Sequence, residues 1–88
     1  MQIGTAETLA LKGLAHIAQD EGVLSAFMNL SGLDGETLRA RAGEPELLAA
    51  VMDFLLADDA RLMAFCEAEN LKPQDAHAIR RALPGANG

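Results

Sequence analysis

LAHIAQDEGVLSAFMNLSGLDGETLRARA, residues 14–42, lies over MDFLLADDARLMAFCEAENLKPQDAHAIR, residues 52–80, without a gap when the chain is shifted by 38 positions against itself. Identical pairs are Asp20/Asp58, Leu24/Leu62, Ala26/Ala64, Phe27/Phe65, Leu33/Leu71 and Ala40/Ala78. Leu14/Met52, Ile17/Leu55, Glu21/Asp59 and Met28/Cys66 are similar. The matches fall where both stretches need the same mechanical work: helix starts, apolar stripes and helix stops. The alignment predicts an all-α, compact six-helix domain over residues 1–83, built from two pseudo-symmetric three-helix units at about 5–42 and 44–83. The tail from Pro84 to Gly88 has little to bury and is expected to be flexible.

Outward from this pairing, each unit gains a first helix. Thr5 is the expected N-cap of the first, which runs to about Gln19 with Ala6, Leu9, Ala10, Gly13, Leu14 and Ile17 on one side. Its counterpart begins with Pro45 at a favoured first-turn position and carries Leu47, Leu48, Val51, Met52, Leu55 and Leu56, a stripe widened by Phe54. Asp20 and Asp58 are placed to cap the second helices, where a short acid accepts from an unpaired amide and meets the positive helix end. Gly32 and Asn70 are placed to stop them in a left-handed backbone, with Leu33 and Leu71 folding back as in a Schellman stop. The third helices are expected from about Gly35 to before Gly43, and from about Pro73 to before Pro84. Phe27 and Phe65 should sit near the shared core.

Composition agrees with helix. The 88 residues include 17 Ala and 14 Leu but only eight Val, Ile and Thr together, a poor supply for strands. One cysteine allows no internal disulfide, which fits a reducing compartment, and the cytoplasm is the expected location. There is no basic leader at the start, and the most apolar run, Leu47 to Ala57, is interrupted by Asp53 and is far shorter than a bilayer needs. Trp and Tyr are missing, so aromatic cages and base-stacking platforms lack their usual material.

The segment MDFLLADDARLMAFCEAENLKPQDAHAIRRALPG resembles the hallmark of a small, mostly alphaproteobacterial family known as domain of unknown function thirty-five seventy-two. Its most recognisable part is a DFLL stretch, here Asp53 to Leu56, then an acid pair, Asp58 and Asp59, then Leu62 to Cys66, then Ala82 to Gly85. The resemblance covers nearly the whole chain. It implies a cytoplasmic, stand-alone helical protein and brings no activity, cofactor or catalytic residue.

Candidate chemistry is sparse. Cys66 is the one strong nucleophile, but it shares a stripe with Leu62 and Phe65 and aligns with Met28, which marks a packing position. His16 lies on a polar face with Lys12 and Gln19, and neither it nor His77 has a partner at ligand spacing, so no metal is expected. Asp58 and Asp59 point about 100° apart on a helix and do not form a shared acid/base site. Asp53 is expected at a solvent edge; if buried, it would need an arginine. No cofactor and no catalytic residue is assigned.

The third helices hold most of the cations. His77, Arg80 and Arg81 stand at i, i+3 and i+4, and with Arg39 they form the candidate docking patch for an acidic partner or phosphate. Cations near helix C-termini also offset the helix dipole without any partner. The favoured function is a non-catalytic protein-interaction or structural module, with an unknown protein partner or a homodimer. The alternative is helix-turn-helix-like DNA binding through Phe27 to Ala42 or its counterpart. Nucleic acid is disfavoured by a formal charge of −6 and by Glu36, Thr37, Gln74 and Asp75 where a recognition helix meets its target. No membrane contact is expected.

Overall fold

The computed structural model describes residues 1–85, and among them there are six α-helices and no strand. They are α1 (Ile3–Ala18), α2 (Glu21–Ser31), α3 (Gly35–Ala40), α4 (Pro45–Leu56), α5 (Asp59–Glu69) and α6 (Pro73–Ala82). The core lies between α1 and α4, which make the most extensive contact; α6 packs on both, α2 flanks α1 and α4, and α5 flanks α4 and α6.

Helix α1 begins three residues earlier than the Thr5 cap predicts. Gln2 is the N-cap and offers no side-chain bond, while Ala6 N donates to the Gln2 carbonyl at 3.0 Å. Ile3 and Gly4 thus join the helix, and Thr5 is interior. A neighbouring hydroxyl, that of Thr8, bonds back onto the Gly4 carbonyl at 3.0 Å, a use of threonine inside a helix that the sequence reading overlooked.

The caps of the second helices fall where the alignment puts them. Asp20 Oδ1 accepts from Gly22 N at 2.9 Å and Val23 N at 3.2 Å, and Asp58 Oδ1 accepts from Arg61 N at 3.1 Å. Gly32 (φ 74) and Asn70 (φ 56) are both left-handed. The stops themselves differ. At Asn70, Leu71 N donates to Cys66 O at 2.7 Å and Asn70 N to Glu67 O at 3.4 Å, the two bonds of a Schellman stop. At Gly32 only the simpler bond forms, Gly32 N to Met28 O at 2.8 Å, because the Ser31 hydroxyl accepts from Leu33 N at 3.4 Å. A serine where the other half has Glu69 therefore corrects the expectation of two equal stops.

Phe27 and Phe65 are both buried, and each crosses to the other half. The Phe27 ring meets Phe54 of α4 edge-on at 5.3 Å between centroids, and the Phe65 ring meets His16 of α1 at 6.1 Å. His16 and Phe54 are themselves 38 positions apart, so the two ring pairs occupy aligned places. So do Gly13 and Val51, which face one another where α1 crosses α4: a Cβ on Gly13 would lie 3.4 Å from Val51 Cγ1. The third helices are not alike. α6 has ten residues and buries Ala76 and Ile79, whereas α3 has six, buries only Leu38, and makes no extensive contact with any other helix. Arg41 stands where the other half has Ile79, and a charged residue cannot extend the buried stripe.

The remaining expectations are met unevenly. Leu62 and Cys66 of α5 are buried, but their counterparts Leu24 and Met28 of α2 are only half-buried. Pro84, the first residue of the expected flexible tail, has its carbonyl bonded by Arg80 at 3.0 Å; residues 86–88 lie outside the described residues.

Candidate functional site

The predicted docking patch is divided by the fold. Arg39 is exposed on α3, a helix started by Asp34, whose Oδ1 accepts from Thr37 N at 2.7 Å. That bond holds the Asp34 carboxyl below its ordinary 3.8. His77 and Arg81 are exposed on α6, which shares no extensive contact with α3. Arg80 is not free for a partner: its Nε donates to Asp53 Oδ1 at 2.6 Å, and another guanidinium nitrogen donates to the Pro84 carbonyl at 3.0 Å. Asp53 thus combines both settings weighed for it, a 61 % exposed side chain at the edge of α4 that nonetheless has an arginine partner. The arginine fastens α6 to α4 and closes the end of α6.

Cys66 is 2 % exposed, inside the core beside α6. Burial pushes its thiol above the ordinary value of 9.0, and the charge of Asp75 pushes in the same direction. The fold therefore prefers the protonated thiol. As pH rises past 9.0 the unfolded chain ionises first, so this contribution to stability is complete below that value and is lost above it. Comparing urea midpoints of the parent and Cys66→Ala across this range should show a steeper alkaline decline in the parent. Equal slopes would mean that the thiol is as accessible folded as unfolded.

His16 is not an ordinary surface histidine. It is half-buried against Phe65, and it helps to line an open cavity of about 470 Å³ at the junction of α1, α2, α4 and α5. Gln19, Asp20 and Arg61 supply the other polar walls, and Val23, Leu55, Ala60 and Ala64 the apolar ones. Asp20 is already committed to two amides as a cap. The Arg61 guanidinium carbon lies 4.2 Å from the centre of the Phe54 ring, a cation–π contact, and among the described residues Arg61 forms no ion pair. The sequence reading singled out neither Arg61 nor this cavity, since nothing in the local pattern brings residue 61 beside residue 16.

A second depression, an apolar groove of about 290 Å³, runs between α1, α2 and α3. Leu14, Ala18, Leu24, Leu38 and Ala42 form it, and Arg39 stands with them. Here too the cation forms no ion pair among the described residues. The two halves differ here: α6 runs to Ala82 and Ile79 and Leu83 are buried, whereas α3 ends at Ala40 and Leu24 stays half-buried.

Among the described residues, no cluster of three His, Cys, Asp or Glu side chains is placed to hold a metal, and no helix is long and apolar enough to cross a membrane. The model of one protein family, described as "Protein of unknown function (DUF3572)", matches residues 4–86. No curated protein and no solved structure matches the chain.

Proposed function

Because this chain belongs to the DUF3572 family, a membership that brings no reaction with it, we propose that the domain is a non-catalytic interaction module of the cytoplasm. It is a duplicated three-helix unit whose first third helix, α3, has been shortened to expose a binding groove. The occupant is a helix of a partner protein that presents two apolar side chains one turn apart and an acidic residue. The groove beside α3 carries this reading: apolar walls with a cation, Arg39, that is in no ion pair among the described residues suit an apolar ridge bearing a carboxylate. In the other half α6 itself supplies such a ridge, since Ala76 and Ile79 are both buried and three residues apart on the helix. The lone buried thiol suits a reducing compartment.

The test uses a photo-crosslinking residue at exposed Ala18, on the wall of the groove. In a native extract it should yield one adduct of discrete mass, and Arg39→Glu, a change at an exposed position, should abolish it. The same probe at exposed Gln74 should yield none. An adduct that survives Arg39→Glu, an adduct equal at both positions, or one containing nucleic acid or a second copy of this chain would refute the assigned occupant.

A further inference from the structure

We propose that the cavity between His16 and Arg61 binds a small organic anion, a carboxylate carrying a compact apolar body. The inference is independent of the groove beside α3, which lies on other walls and would take a different kind of ligand.

The cavity has a local cause in the unequal halves. Over the Phe54 ring lies the guanidinium of Arg61. Over the aligned ring, that of His16, the aligned position is Val23, whose side chain is too short to fill the same space. Ala60 and Ala64 on the facing surface of α5 add no bulk. What remains is an open space of about 470 Å³, within the size range of small-molecule sites and mostly apolar with a few polar groups.

Those polar groups decide the ligand. Arg61 is half-buried, and among the described residues its charge meets the face of Phe54 and no carboxylate. The contact with the ring takes up none of the guanidinium N–H donors in a hydrogen bond, and such a fork of donors suits the two oxygens of a carboxylate. The Gln19 amide and the His16 imidazole add donors to the same walls. Asp20 is the one opposing charge. Its carboxylate accepts from Gly22 N and Val23 N at the start of α2, where the positive helix end offsets it. Val23, Leu55 and the two alanines take the apolar body. A cation would meet Arg61 across the same space, and a purely apolar ligand would leave three polar walls without partners.

Benzoate titrated into the full chain, followed by amide and side-chain NMR shifts, is the direct test. Saturable shifts are expected at His16, Gln19, Ala60, Arg61 and Ala64. Benzamide, the same shape without the charge, should bind roughly tenfold more weakly or worse, the loss expected for one charge-assisted contact. Ala64→Leu should block benzoate while leaving the remaining spectrum in place, and Arg61→Gln should reduce affinity to that of benzamide. The proposal is overturned by benzamide binding as well as benzoate, by binding that persists in a folded Ala64→Leu variant, or by shifts that never saturate or fall elsewhere.

Discussion

Phe65→Ala is expected to remove about 3–5 kcal/mol of stability, a large share of the ~5–15 kcal/mol that holds a typical domain folded. Phe65 is fully buried, and its ring reaches out of α5 to α1, where it touches the surface around Gly13 and tilts against His16. Truncation would lose the transfer energy of the ring and leave a void between two helices that are far apart in the chain. A domain this small has no second core to fall back on. Urea unfolding followed by far-ultraviolet circular dichroism should show the variant largely unfolded, or its midpoint far below that of the parent. Leu30→Ala is the matched control: Leu30 is 75 % exposed, and its loss should change stability by less than about 0.5 kcal/mol. Equal midpoints for the two variants would remove Phe65 from the core.

Gly13→Leu should be nearly as damaging, for the opposite reason. A Cβ at this position would already sit 3.1 Å from Leu55 Cδ1, 3.4 Å from Val51 Cγ1 and 3.5 Å from Phe65 Cε1. All three neighbours are buried, so four extra carbons can be housed only by moving α1 off α4. Overpacking typically costs about 1–3 kcal/mol, and here the upper end is expected because the most extensive helix contact is the one forced open. Gly13→Ala separates crowding from helix propensity. Alanine gains about 0.8–1.0 kcal/mol over glycine within a helix, and displacement of the Leu55 methyl should cancel much of it. At Gly4, where nothing lies within 4 Å, the same glycine-to-alanine change has no crowding to offset it. A stabilised Gly13→Leu variant would show that α1 and α4 do not approach as closely as they do here.

The sequence carried the parts of this fold that depend on near neighbours. Asp20 and Asp58 cap helices because a carboxylate reaches amides only two or three residues ahead. Gly32 and Asn70 stop them because these residues accept a left-handed backbone. Cys66 was readable as a packing residue because its stripe-mates Leu62 and Phe65 are buried with it. The misreadings have equally local causes. Thr5 is a favourable cap residue, yet an uncapped start at Gln2 wins because Gly4 and Ile3 can continue the helix. A serine hydroxyl at Ser31 changes one stop from two bonds to one.

What the sequence withheld depends on approach between distant segments. The patch of Arg39, His77, Arg80 and Arg81 follows from spacing along α6 and from the alignment of Arg39 with His77. The fold places Arg39 on a separate, short helix and gives Arg80 to Asp53, 27 residues away. His16 was assigned to a polar face by its own helix, and its burial comes from α5. The cavity beside it joins residues 16 and 61, a pairing with no trace in local periodicity.

The crossing of α1 over α4 has a bearing on how the chain first takes shape. A nascent chain that holds only α1, α2 and α3 has α2 against α1 but lacks α4 and α6, the two helices with the largest contacts on α1, which buries Ala6, Ala10, Leu14 and Ile17 in the whole domain. At roughly 5–20 residues per second, synthesis of the second half takes several seconds. The core between α1 and α4 is therefore completed only when the later helices arrive, and a fragment ending near Gly43 is expected to be a sticky polypeptide rather than half a protein.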